Sequence, residues 1–157
     1  NASAVIDGNA IYISSFDDAL YKLSLADGQI IWRIERGGHT AVTINGSLVY
    51  YATTDGELLA LDKVSGDIKW SNKVTKGVAT QPVMMNELLV YSESRGDLKI
   101  VNSADGKAVA NFTTGHGNPM KPTTDPAKSE VYFVSNNGNL YALKLYWQRR
   151  AHRLPWE

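Results

Sequence analysis

Asn45-Gly46-Ser47-Leu48-Val49-Tyr50-Tyr51, then Asp55-Gly56-Glu57-Leu58-Leu59-Ala60-Leu61-Asp62, then Ser65-Gly66-Asp67-Ile68-Lys69-Trp70 sit in the middle of the chain. Each is a short apolar run next to a glycine turn. Runs of four to six Val, Ile, Leu and Tyr residues bounded by Gly, Asn or Asp read as strands. Asn-Gly and Asp-Gly tolerate the positive φ that tight hairpin turns require. The stretch has echoes on both sides. Ser65-Gly66-Asp67-Ile68-Lys69-Trp70 has a counterpart one unit earlier in Asp27-Gly28-Gln29-Ile30-Ile31-Trp32. One unit later it returns as the decayed Asp105-Gly106-Lys107-Ala108-Val109-Ala110. Asp55-Gly56-Glu57-Leu58 returns as Arg95-Gly96-Asp97-Leu98 and Asn137-Gly138-Asn139-Leu140, with Asp17-Asp18-Ala19-Leu20 as a first member lacking its glycine. Asn45-Gly46-Ser47 follows Asp7-Gly8-Asn9, and Asn86-Glu87 takes that place in the third unit.

A period of about 40 residues with four short strands per unit points to an all-β fold built of antiparallel propeller blades. Apolar periodicity of helix length is absent. The expected strands are Ala2–Ile6, Ala10–Ser14, Leu20–Ser24 and Ile30–Ile34 in the first unit, and Ala41–Ile44, Leu48–Ala52, Leu58–Asp62 and Ile68–Ser71 in the second. The third unit gives Pro82–Met85, Leu88–Ser92, Leu98–Asn102 and Ala108–Phe112; the fourth gives Lys121–Thr124, Val131–Ser135 and Leu140–Leu145. The blades are expected at about 1–38, 39–76, 77–115 and 116–147, followed by a basic tail at 148–157 that holds half of the arginines. Four blades are too few for a typical closed ring, so the chain is expected to form part of a ring of seven or eight, completed by further blades or by a second copy. Asn1 in place of Met points to a processed chain or a piece of a longer one.

These residues resemble the PQQ-type β-propeller repeat, named after pyrroloquinoline-quinone dehydrogenases. The resemblance implies that the large side chain late in each unit packs between blades, which assigns Trp32 and Trp70 to blade docking. It also implies two functional branches. One is the quinone- and calcium-dependent dehydrogenases. The other is BamB-like: periplasmic lipoproteins of the outer-membrane β-barrel assembly machinery, in which the propeller is a docking surface. Short blades without insertions resemble the second branch. The expected function is therefore a non-catalytic, periplasmic protein-interaction scaffold, anchored at the outer membrane through a lipid on the parent protein. A dehydrogenase fragment and a ligand-sensing ectodomain are the alternatives.

The chemistry of the chain agrees with a scaffold. Of its 157 residues 43% are hydrophobic, and sixteen Lys and Arg balance sixteen Asp and Glu. That balance argues against a nucleic-acid partner. No apolar run approaches the length of a membrane-spanning helix. Cysteine is absent, which removes disulfides, thiolate metal sites and thiol catalysis. Asp17 and Asp18 occupy a turn register. His39 and His116 enter first strands two units apart with no third ligand in view. No catalytic, cofactor-binding or metal-binding residue is assigned, and no cofactor is expected. The inter-unit connections Arg36–Thr40, Lys73–Thr80 and Thr113–Pro122 are the expected partner-binding segments, through Arg36, His39, Lys76, His116 and Lys121.

Overall fold

A computed structural model describes residues 3–15 and 17–146. Fifteen strands form four antiparallel sheets among these residues. The first sheet holds β1 (Val5–Asp7), β2 (Ala10–Ser14), β3 (Leu20–Ser24) and β4 (Ile30–Ile34). The second holds β5 (Thr43–Asn45), β6 (Leu48–Ala52), β7 (Glu57–Asp62) and β8 (Ile68–Lys73). The third holds β9 (Val83–Met85), β10 (Leu88–Ser92), β11 (Leu98–Asn102) and β12 (Ala108–Phe112). The fourth holds β13 (Thr123–Asp125), β14 (Glu130–Val134) and β15 (Leu140–Lys144). Strands follow each other in sequence order within every sheet, the meander of a propeller blade.

The expected second strands of the first three units match to the residue, as do the third and fourth strands of the first and third units. The innermost strands do not. They are three residues long and begin later than expected, at Val5, Thr43, Val83 and Thr123, because the residues before them belong to connections held by side-chain contacts. The second unit's third strand begins at Glu57 and its outer strand extends to Lys73. The fourth unit's middle strand runs Glu130–Val134 instead of Val131–Ser135, and its last ends at Lys144. The tail expected at 148–157 lies outside the described residues, as do Ala2 and Trp147.

Turn chemistry explains the registers. Asp7 pairs with Ala10, Asn45 with Leu48 and Met85 with Leu88, so each first hairpin closes over a two-membered loop. The first loop residue has positive φ in all three: Gly8 at 56°, Gly46 at 58° and Asn86 at 54°. Asparagine is the side chain that tolerates this region best, which is why the third unit keeps its turn without the glycine. A bulge recurs between the third and fourth strands of each complete sheet, at Lys22/Leu23, Ala60/Leu61 and Ile100/Val101. Bulges increase local twist and re-aim side chains. Here Trp32 and Trp70 come to lie opposite Lys22 and Ala60.

Successive sheets pack face to face through three apolar clusters. Tyr12, Leu20 and Trp32 of the first blade meet Val49, Tyr51, Leu59 and Leu61 of the second. Tyr50, Ala52, Leu58 and Ala60 meet Leu89, Tyr91 and Val101 of the third. Val90, Leu98 and Ile100 meet Val131 and Phe133 of the fourth. The two middle blades are therefore buried on both faces, whereas β2 and β14 alternate between buried and half-buried residues.

The indoles cross these joints. Trp32 Nε1 donates to the Lys63 carbonyl at 3.2 Å, and Trp70 Nε1 donates to the Ser103 carbonyl at 3.0 Å. Each ring also lies on the glycine of the next blade's turn. A Cβ on Gly66 would stand 3.0 Å from Trp32, and one on Gly106 would stand 2.7 Å from Trp70. Tyr12 meets Trp32 edge-on with centroids 5.8 Å apart, and Tyr50 tilts against Trp70 at 6.0 Å.

Candidate protein-docking face

Backbone hydrogen bonds sort the loops to two ends of the blades. The connection entering each blade is tied to the turn between that blade's second and third strands. Thr54 N donates to Gly37 O at 2.8 Å, Ser94 N to Val78 O at 2.9 Å, and Asn136 N to Gly117 O at 3.0 Å. All three inter-unit connections thus lie at one end, with the turns at 17–19, 53–57, 93–97 and 135–139. The opposite end is tied equally regularly: Leu25 N to Asn9 O, Lys63 N to Ser47 O and Ser103 N to Glu87 O.

Charges are distributed unequally between the ends. At the far end Lys63 pairs with Asp7, Lys69 with Asp62, Lys107 with Asp105 and Lys128 with Asp125. At the connection end Arg36 is engaged by Asp55 and Glu57, Arg33 by Asp17 and Glu35, and Lys99 by Asp97. Lys73, Lys76, Arg95 and Lys121 have no carboxylate partner among the described residues; toward the far end Lys22 alone shares that state, and its ammonium is held by the Lys63 carbonyl at 2.6 Å. Lys121 donates instead to Gln81 Oε1 at 3.1 Å. His39 and His116 are exposed on their connections.

Of the five sequence-derived partner residues, four present a free or weakly held polar group at this end: His39, Lys76, His116 and Lys121. Arg36 is the exception. Its guanidinium bridges Asp55 and Glu57 and so fastens the first connection to the second blade.

Two residues that sequence reasoning missed hold the face in shape. Glu93 is 1% exposed. Its Oε1 accepts the Thr75 N–H at 2.9 Å and its Oε2 accepts the Thr75 hydroxyl at 2.8 Å. Asn118 is buried completely; its N–H donates to the Glu93 carbonyl at 3.1 Å and its Nδ2 to the Gly96 carbonyl at 2.9 Å. A signal for Glu93 existed. Ser15, Thr53 and Ser135 occupy the same repeat position, so a carboxylate there stands out. Thr53 uses its hydroxyl within its own turn, accepting the Glu57 N–H at 3.0 Å. The longer Glu93 reaches past its turn to the connection. Burial, and then the negative Glu93, push the phenol of nearby Tyr91 up to about 12.

A cleft of about 360 Å³ opens where the innermost strands begin, lined among others by Ser3, His39, Thr40, Gln81 and Lys121. Ser3, Ala41, Gln81 and Lys121 are repeat equivalents, so each blade contributes one residue to this wall. Among the described residues no carboxylate lines the cleft. A hard cation such as calcium takes oxygen ligands with carboxylates prominent among them, so the donors present do not fit the calcium–quinone group that the dehydrogenase branch of this repeat family would require. Among the described residues no cluster of three His, Cys, Asp or Glu side chains is arranged to hold a metal.

Known proteins share this architecture. Outer membrane protein assembly factor BamB of Salmonella typhimurium is 27% identical over 145 residues, covering 91% of this chain and 36% of the relative. The chain spans about a third of the length of such curated relatives. The crystal structure of BamB from Moraxella catarrhalis superposes with a TM-score of 0.78 at 21% identity, over 91% of this chain and 46% of the other. A quinohemoprotein alcohol dehydrogenase from Pseudomonas putida shares the fold at a TM-score of 0.76 and 17% identity, over 87% of this chain and 28% of that one. So do two computationally designed proteins. Ika4 matches over 92% of both chains at a TM-score of 0.73 and 14% identity. Ika8 matches over 90% of this chain and 44% of its own, at a TM-score of 0.71 and 15% identity. The family model for outer membrane protein assembly factor BamB matches residues 1–156, and this PQQ-type propeller chain belongs to that family.

Proposed function

We propose that the chain is a non-catalytic scaffold that docks protein partners through its connection end, in support of outer-membrane β-barrel assembly. The observation that carries the reading is the charge asymmetry of a chain whose formal net charge is zero. Four lysines at the far end are paired with aspartates, whereas Lys73, Lys76, Arg95 and Lys121 lack a carboxylate partner among the described residues. Unpaired cations on a rigid face steer encounter with an acidic partner and fix its orientation. Glu93, Asn118 and Arg36 hold the connections, so little ordering remains to be done on binding. Family membership supports work in the periplasm at the outer membrane, with the assembly machinery as partner.

The reading is tested by binding to the purified β-barrel assembly machinery. Lys76→Glu with Arg95→Glu should weaken binding at least tenfold and flatten its salt dependence, while Lys107→Glu with Lys128→Glu leaves it unchanged. Equal loss from both pairs would count against the connection end. The shared fold with a quinohemoprotein dehydrogenase motivates one further assay, dye-linked alcohol oxidation after addition of PQQ and calcium. Turnover there would remove the scaffold reading.

A further inference from the structure

Three places in the repeat meet in each joint between neighbouring blades. In the first joint they hold Ile34, Tyr51 and Leu59, all in its apolar cluster or packed against it. In the third they hold Phe112, Phe133 and Tyr141, with ring centroids 5.8, 5.5 and 5.2 Å apart in pairs. In the middle joint the same places hold Asn72, Tyr91 and Lys99. Apolar filling gives way there to an amide, a phenol and an ammonium, and a second cleft of about 430 Å³ opens beside β8, β11 and β12. That volume suits a small ligand. The described residues that line it run from Asn72 to Asn111, all in the second and third units.

We propose that this cleft binds a carboxylate, presented by a small organic acid or by the side chain of an acidic peptide, through the Tyr91 hydroxyl and the Lys73 and Lys99 ammoniums. The phenol is the strongest pointer. Tyr91 is 3% exposed and lines the cleft, yet among the described residues its Oη has no hydrogen-bond partner. Its counterpart Tyr51 shares a 2.6 Å hydrogen bond with Ser14 Oγ. One unit on, the place of Ser14 is taken by Ala52, which has no hydroxyl to offer. A buried polar group that the fold leaves unused calls for an explanation. Burial and Glu93 push the phenol up to about 12, so its O–H is there to donate at neutral pH.

The charges around the phenol suit an anion. Glu93 is the one carboxylate among the described lining residues, and both of its oxygens already accept from Thr75. Lys73 has no carboxylate partner among the described residues. Lys99 stands 3.4 Å from Asp97, but Asp97 also accepts from Asn111 Nδ2 at 3.1 Å and from the Thr113 hydroxyl at 2.8 Å. It keeps those donors when the ammonium turns toward a ligand. Two ammoniums against one engaged carboxylate leave the wall positive. A ligand carboxylate that accepts from them and from the phenol gains charge-assisted hydrogen bonds, which are the strong ones. None of Lys76, Arg95 and Lys121 lines this cleft, so binding here and docking at the connection end can fail independently.

Calorimetric titration tests the site with two probes, succinate and a short peptide with capped ends and a single glutamate side chain. Saturable binding of succinate alone assigns a free acid, and binding of the peptide assigns a partner's side chain. Saturation by neither at millimolar concentration overturns the proposal. Tyr91→Phe and Lys99→Leu should each weaken binding about tenfold or more, the worth of one hydrogen bond to a charged group. Lys99→Leu writes the first joint's Leu59 into the second, so the packing accommodates it. Without ligand, Tyr91→Phe should leave the urea midpoint at neutral pH unchanged, since the hydroxyl has no partner to lose. Tyr51→Phe should lower the midpoint and leave binding intact. Affinity that survives both Tyr91→Phe and Lys99→Leu overturns the proposal, as does a midpoint that falls as far for Tyr91→Phe as for Tyr51→Phe.

Discussion

Replacing Gly106 by alanine adds a methyl group to a residue at φ 71°, with the new Cβ 2.7 Å from Trp70 Cε3 and 2.8 Å from Cδ2. Gly28 supplies the control. It has the same φ of 71° and the same place in the repeat, and a Cβ there meets nothing within 4 Å. The backbone term is therefore common to both, about 1–2 kcal/mol for an L-residue in the left-handed region. The packing term differs. Forcing a methyl into a filled site costs about 1–3 kcal/mol, and here the neighbour is an indole held by its own hydrogen bond to Ser103. Gly106→Ala should thus lose about 2–5 kcal/mol and Gly28→Ala about 1–2 kcal/mol. Gly66→Ala should fall between them, since its Cβ would clear Trp32 at 3.0 Å. Urea denaturation followed by tryptophan fluorescence measures all three. A double-mutant cycle of Gly106→Ala with Trp70→Ala should recover most of the packing term, because the clash disappears with the ring. Equal losses at Gly28 and Gly106, or additive effects in the cycle, would refute the claim that each indole is seated on the next blade's turn.

Other perturbations give separate readouts. Glu93→Ala strips the Thr75 N–H and hydroxyl of their charged acceptor, at a cost of about 1–3 kcal/mol; amide exchange across 73–80 should quicken, whereas Glu93→Gln should preserve one acceptor and cost less. The phenol of Tyr91 is held up to about 12 by burial and by Glu93. Its contribution to stability is fully present below about pH 10 and is lost as pH rises from about 10 to about 12, because the unfolded phenol ionises first; the loss is about 2–3 kcal/mol. Tyr91→Phe should flatten that alkaline slope in urea titrations, and an unchanged slope would locate the effect elsewhere. Arg36→Ala should free the first connection from Asp55 and Glu57 and quicken amide exchange at 36–40, whereas exchange across 73–80 stays unchanged.

Legibility divides along physical lines. Strands whose two ends are marked by repeat turns, such as Ala10–Ser14 and Leu98–Asn102, can be read to the residue, since alternation and turn chemistry both act locally. The innermost strands cannot. Their starts depend on where connections such as 36–40 and 73–80 are pinned, and Arg36 and Glu93 do that through partners distant in sequence, Glu57 and Thr75. The same long-range pairing explains the docking face. The cationic side chains are visible in the connections, but which of them are already engaged is not. In sequence Arg36 is as available as Lys76; in three dimensions Asp55 and Glu57 stand beside it. Arg95, set in a turn register, carries no local mark, because its partner-free state exists only in three dimensions.

Site-specific photo-cross-linking to the β-barrel assembly machinery tests the docking claim most directly. A photoreactive residue is placed in turn at His39, Lys76, Arg95 and His116 on the connection end, and at Lys107, Lys128 and Asn9 on the other. The account predicts adducts from the first group and none from the second. Adducts from the far end, with none from the connections, would contradict it.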